Sequence, residues 1–162
     1  MKPIVYLESS VISYLTSRPH RDVVIAGRQA ITQEWWEYQR HQFELRISIL
    51  VEEEISRGDA EAAAQRLASI ADIPSLTLSD DAVMIAHLLL AKCAIPKGSE
   101  DDALHIGIAA AQGVDFLLTW NFKHINNAVT RGYVTHIVEA CGYNCPQLCS
   151  PEELMGRYYE YD

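Results

Sequence analysis

Short β-branched runs alternate with long helical patterns along this chain, and that alternation dictates its architecture. "KPIVYLE", "ELRISIL" and "VDFLLTW" each read as a strand, and stretches of helical pattern separate them. Strands joined by helical crossovers run parallel, and a parallel sheet is buried by helices on both faces. The expected fold is therefore α/β: three layers, α/β/α, around a central parallel sheet of about four or five strands. The 162 residues make a single domain, 1–162, large enough to bury a core without metal or disulfide staples.

The connecting segments carry their own stop and start signals. Ser9 or Ser10 suits an N-cap for a short helix, "VISYLT". From Asp22 to about Gln42 the pattern is one long helix, with Val24, Ile31, Trp35 and Tyr38 on one face. "VEEEISRGD" is a helix that stops at Gly58, and Asp59 caps the alanine-rich "AEAAAQRLASIA". "IPSLTLS" is extended, and "DDAVMIAHLLLAKCAI" is a largely buried helix ended by Pro96. "GSEDDALHIGIAAAQG" is a helix with Ser99 as N-cap, acids in its first turn and Gly113 at its end. Beyond "VDFLLTW" come one or two helices through "NNAVTRGYVTHIVEACG" and a short extended piece near "QLCSP". The tyrosine-rich tail "GRYYEYD" is expected at the surface or against a partner subunit.

Charge narrows the function classes. The formal net charge is −9, which argues against a broad basic groove for nucleic acid. A bound divalent cation would change the local balance. Basic residues gather in two places, Arg18, His20, Arg21 and Arg28, then Lys123, His124 and Arg131. The longest apolar run, "AVMIAHLLLA", is about half of what a bilayer needs, and "MKPIVYLESS" lacks a signal peptide's apolar centre. The expectation is a cytoplasmic protein with no membrane partner. The cysteines, Cys93, Cys141, Cys145 and Cys149, are then free thiols. Cys141, Cys145 and Cys149 with His136 offer zinc ligands, but their spacing matches no standard zinc pattern.

The acids sit where chemistry is expected. Ligands of open α/β sheets bind beyond the carboxyl ends of the strands. Glu8 ends the first strand, and Glu52, Glu53 and Glu54 come just past the second. Asn121 comes after Thr119 at the end of the third, and Asp101 and Asp102 open a helix. Clustered carboxylates repel one another and either take up protons or bind a cation. An oxygen-rich set suits Mg²⁺ or Mn²⁺, whose natural chemistry is phosphodiester hydrolysis by an activated water. His105, three residues after Asp102, shares its helix face and reads first as a core histidine.

The order and spacing of "YLESSVIS", "SILVEEEISRG" and "EDDALHIGIAAAQGVDFLLTWNFKHI" resemble the PIN-domain family of metal-dependent nucleases. Among them they resemble the VapC-like toxins of bacterial toxin–antitoxin pairs, over nearly the whole chain. The resemblance implies a first acid at Glu8 with a nearby hydroxyl at Ser10, and a second acid at Glu54 with Glu53 as its rival. It implies a third acid at Asp102, beside Asp101, and a fourth position at Asn121, after the strand-end Thr119. Glu8, Glu54 and Asp102 would bind Mg²⁺ or Mn²⁺. Ser10 would position water or phosphate, or serve only as a helix cap. Thr119 would hydrogen-bond near the metal, or be an ordinary strand residue. The chain departs from the family pattern twice: Glu8 stands where Asp is usual, and Asn121 stands where an acid is usual. An amide oxygen brings no charge and cannot act as a base. The resemblance also implies an RNA substrate, an antitoxin protein partner and a homodimer. The competing expectation is a catalytically weak or inactive module that binds RNA or protein.

Overall fold

A computed structural model describes residues 1–159. Its sheet holds five parallel strands in the order β3-β2-β1-β4-β5. These are β1 (Ile4–Leu7), β2 (Glu44–Ser48), β3 (Ser75–Leu76), β4 (Phe116–Leu118) and β5 (Gln147–Cys149). β1 is central, with Tyr6 opposite Arg46 of β2 and Leu117 of β4. Tyr6 and Leu7 point to opposite faces of the sheet, and both are fully buried, so both faces are covered.

Among the described residues seven α-helices connect the strands: α1 (Ser9–Thr16), α2 (Val23–Glu34), α3 (Ile49–Ile55), α4 (Ala60–Ser69), α5 (Asp80–Ala91), α6 (Glu100–Ala111) and α7 (Arg131–Ala140). α1 packs on α2, α3 and α4, while α5 packs on α6 and α7. The α5–α6 crossing is unusually close. A Cβ added at Gly107 would fall 2.3 Å from the backbone oxygen of Ala82, so only glycine lets α6 approach this far.

Several sequence expectations are met. Asp59 caps α4 with its side chain, and Gly58 and Gly113 end segments with positive φ, while Asp22 and Ser79 cap α2 and α5 in the same way without having been expected to. Others need correction. α1 is capped by Glu8, not by Ser9 or Ser10, because the Glu8 carboxylate accepts the Ser10 N–H. α3 starts at Ile49, earlier than the "VEEE" run, because Ser48 accepts the Val51 N–H and caps it.

The long helix from Asp22 does not continue unbroken. α2 passes into a π turn at Trp35–Gln39 and a 3-10 turn at Arg40–Gln42. A π turn carries one extra residue and rotates the side chains beyond it about the helix axis. Trp35, where the π turn begins, is fully buried, whereas Tyr38 within it and Val24 in the first turn of α2 are exposed. Trp36 is half-buried, under the Arg40 guanidinium. Of the tail tyrosines, Tyr158 packs on Phe43 and Phe116 of its own chain and Tyr159 is exposed. Tyr161 lies outside the described residues. Among the described residues no helix is long and apolar enough to cross a membrane.

Candidate functional site

The strand order places a switch point at the centre of the sheet. From β1 the chain builds outward through β2 and β3, then returns to the other side of β1 for β4 and β5. The crevice of an open α/β sheet lies at such a reversal, beyond the carboxyl ends of the two central strands. Glu8 leaves β1 there, and Thr119 leaves β4.

Glu8 is buried and its Oε1 atom is saturated. It accepts from Thr119 Oγ1 at 2.7 Å, from Ser10 N at 3.1 Å and from Ser10 Oγ. Ser10 Oγ also accepts from Trp120 N at 2.9 Å, and Thr119 Oγ1 accepts from Asn121 N at 2.9 Å. The start of α1 and the loop after β4 are thus laced together around one carboxylate. Among the described residues nothing donates to Glu8 Oε2. Thr119 is fully buried, and its hydroxyl is spent on the Glu8 carboxylate.

Glu54 arrives from α3. Its Oε1 accepts from Ser9 Oγ at 2.7 Å and lies 2.6 Å from His105 Nε2. The other ring nitrogen of His105 lies 2.7 Å from the Tyr6 hydroxyl, which in turn lies 2.7 Å from Ser48 Oγ. A continuous chain of hydrogen bonds therefore runs from the cap of α3 through β1 and α6 to the start of α1. Burial alone would raise the Glu54 pKa, but the hydrogen bond and charge of His105, the Ser9 hydroxyl and Arg57 hold it below the ordinary carboxylate value. For His105 burial pulls the pKa down. The bond to Glu54 and the negative charges of Glu8, Glu54 and Asp102 outweigh it, and the net shift is upward. Burial pushes the Tyr6 phenol well above its usual range. Glu53 is not part of this chain: it is exposed and pairs with Arg57 at 3.1 Å.

Asp102 arrives from the first turn of α6. Its Oδ1 accepts from Asn121 Nδ2 at 3.1 Å, and its Oδ2 lies 2.9 Å from His124 Nδ1. Asn121 Oδ1 accepts from His124 N at 2.9 Å, so the amide oxygen is already committed. Ser99 occupies the N-cap position of α6 without a capping hydrogen bond, and its hydroxyl lies 3.2 Å from His124 Nδ1. Glu54, Ser99, Glu100, Asp101, Asp102 and His124 line one open cleft of about 430 Å³. Asp101 is half-buried on that wall.

The sequence-derived set thus divides. Glu8, Ser10 and Thr119 form one knot, Glu54 joins it through Ser9, and Asp102, Asp101 and Asn121 share the cleft that Glu54 lines. Sequence reasoning places His105 in the core and His124 only in a basic cluster. His105 is indeed fully buried with both ring nitrogens bonded, but one bond goes to a site acid. The signals are present in the spacing: His105 lies three residues after Asp102, and His124 three after Asn121.

The donor chemistry fits a hard divalent cation. The groups are carboxylate oxygens, and Glu8 Oε2 and Glu54 Oε2 carry no donor from the described residues. The enclosure is incomplete: among the described residues no three His, Cys, Asp or Glu side chains are grouped as a metal site. That holds for the cysteines too. Cys149 is buried in β5, where burial pushes its thiol up to about 12, and Cys93 is exposed just past the C-cap of α5.

No protein-family model matches the sequence, and no curated protein matches it. Solved structures do. A chain of the crystal structure of VapBC2 from Rickettsia felis bound to a DNA fragment from their promoter aligns with TM-score 0.54 and 17% identity, over 74% of this chain and 89% of that one. A structure of a member of the VapBC family of toxin-antitoxin systems, VapBC-5 from Mycobacterium tuberculosis, aligns at TM-score 0.46 and 19% identity, over 78% and 94%. The likeness is one of fold, and the fold is PIN-like, as the sequence motifs lead one to expect.

Proposed function

We propose that this chain is a metal-dependent endoribonuclease of the VapC kind, the toxin of a toxin–antitoxin pair. One observation carries the reading. Glu8 leaves the central strand at the switch point of a PIN-like sheet, Glu54 and Asp102 line one cleft, and the charges of all three act on His105, each acid being held by a hydroxyl, an imidazole or an amide. Carboxylates collected in this way are suited to a divalent cation and a phosphodiester.

In this reading Glu8, Glu54 and Asp102 hold Mg²⁺ or Mn²⁺. Bound there, the cation would supply Lewis-acid chemistry for activating water and offsetting charge on the phosphate. The chain's own residues set the geometry. Thr119 and Ser10 fix the Glu8 carboxylate by one oxygen and leave the other free. His105 and Ser9 do the same for Glu54. His124 and Asn121 orient Asp102. The two histidines act through the carboxylates and are positioning residues. The partner antitoxin would cover this cleft, and the active form would be a homodimer in the cytoplasm.

A second reading has its own support. Asn121 brings no charge, its oxygen is committed to the His124 N–H, and no three ligands are grouped among the described residues. An inactive RNA- or protein-binding module would show these features. Cleavage of single-stranded RNA by purified protein, with Mn²⁺ and with EDTA, separates the two. The nuclease cuts with Mn²⁺, stops with EDTA, and loses activity in Asp102→Asn while remaining folded. An inactive module cuts in neither condition.

A further inference from the structure

Beside the loop after β4 stands an arginine that pairs with no acid among the described residues. Arg28, on α2, lays its guanidinium carbon 5.2 Å from the ring centre of Phe122 and 5.5 Å from that of Trp120. The two rings meet at 90°, with centroids 5.9 Å apart, and so form a corner. Trp120 is the fixed wall. It is buried, its Nε1 donates to Thr32 Oγ1 at 2.8 Å, and Tyr14 packs edge-on against it. Phe122 is the outer wall, 38% exposed.

The chain has 22 acidic residues against 13 Lys and Arg, yet among the described residues none pairs with Arg28. Its guanidinium donates no hydrogen bond there either. The rings fix the side chain by cation–π contact and leave its N–H groups available. The loop that carries the corner is hydrogen-bonded to the acids and their partners. Trp120 N donates to Ser10 Oγ, the hydroxyl bound to Glu8, and Asn121 lies between the two aromatic residues and holds Asp102. Lys123, the next residue, is exposed and also lacks an ion pair among the described residues.

We propose that Arg28 and Phe122 form a subsite for one unpaired nucleotide of RNA, with the base stacked on the exposed face of Phe122 and a phosphate held by Arg28. Its place beside the acids rests on the nuclease reading, but its binding chemistry does not. A base inside a duplex is covered on both faces and has none to offer an aromatic ring, so the exposed ring selects single strands. Every base has such a face, so the subsite tolerates sequence. A chain of net charge −9 repels phosphate overall, and a local clamp of one ring and one unpaired guanidinium achieves what a broad basic groove cannot.

The test measures fluorescence anisotropy of a labelled single-stranded oligoribonucleotide and of its duplex, with the full chain in EDTA so that nothing is cut. Phe122→Ala is expected to weaken single-strand binding about tenfold, the loss of one stacked base, and to leave duplex binding unchanged. Phe122→Leu keeps the bulk without the π-face and should show the same loss, while Phe122→Trp should retain affinity. Arg28→Gln should flatten the salt dependence by roughly 0.7 in slope, one phosphate contact on a single strand. The proposal is overturned if the unaltered chain does not bind, or if Phe122→Ala and Phe122→Leu both bind like it; a protein partner would then be the occupant to seek. If the binding pattern holds but Mn²⁺ elicits no cleavage, the subsite stands and the nuclease reading falls. If cleavage occurs and the Phe122 variants bind normally, only the subsite falls.

Discussion

His105 Nε2 stands 2.6 Å from Glu54 Oε1, inside the protein, with the Tyr6 hydroxyl 2.7 Å from its other nitrogen. The ring is fully buried, yet nearby carboxylates hold its pKa above the ordinary histidine value of 6.5. A pKa raised by folding contributes stability that is complete below 6.5 and is lost as pH climbs through the higher folded value. Glu54 is shifted the other way, so its contribution is complete above the ordinary 4.5 and is lost as pH falls through the lower folded value. The pair therefore stabilises most between those limits. Without divalent cations, the urea midpoint should be higher at about pH 6 than at about pH 9, and His105→Gln should flatten that difference. A wild-type profile as flat as the variant's would show that His105 gains no proton affinity on folding.

Thr119 and Glu8 make a second prediction. Thr119→Val is nearly isosteric, removes the 2.7 Å hydrogen bond and leaves a buried carboxylate short of a donor. Leaving such a group under-satisfied costs about 1–3 kcal/mol. Denaturant unfolding of the two proteins measures it directly. An unchanged midpoint would mean that water replaces the hydroxyl and that the knot around Glu8 is open to solvent.

Gly107 fixes the height of α6. An added methyl group would meet the Ala82 oxygen at 2.3 Å, so Gly107→Ala must push α5 and α6 apart. Overpacking of this kind costs about 1–3 kcal/mol. Because α6 carries Asp102 and His105, Mn²⁺ affinity should fall together with stability. Calorimetric titration beside thermal unfolding checks both, and loss of stability with unaltered Mn²⁺ affinity would separate α6 from the site.

Asn121→Asp places a further charge beside Asp102. It replaces the N–H donor 3.1 Å from Asp102 by a second carboxylate oxygen. Like charges at this distance raise the cost of the cation-free state and favour a bound cation. The variant should melt lower in EDTA, bind Mn²⁺ more tightly than wild type, and cut RNA faster. Tighter binding without faster cleavage would place Asn121 outside the chemistry.

The sheet is legible because its signal is local. "KPIVYLE", "ELRISIL" and "VDFLLTW" are short β-rich runs, and the helical crossovers between them impose parallel pairing. The places of Glu8 just past β1, of Glu54 on the helix after β2 and of Asp102 in the first turn of α6 are legible for the same reason. What stays hidden depends on contacts across the chain. Glu8 as the cap of α1 comes from a carboxylate folding back on the Ser10 N–H, whereas Ser9 and Ser10 carry the stronger local cap signal. The π turn at Trp35–Gln39 breaks a helical periodicity that the sequence shows as continuous, because burying Trp35 against Phe43 and bonding its Nε1 to Leu154 outweighs regular hydrogen bonding. That Glu54 rather than Glu53 bonds to a buried imidazole depends on His105, which is remote in sequence. Arg28 and Phe122 lie far apart along the chain, and nothing in either neighbourhood announces that they touch.

The most direct measurement is a crystal soaked in Mn²⁺ and read for anomalous scattering. The expected result is a peak ligated by Glu8, Glu54 and Asp102 oxygens at the ends of β1 and β4. A well-ordered site with no peak beside these carboxylates would contradict a cation-dependent nuclease.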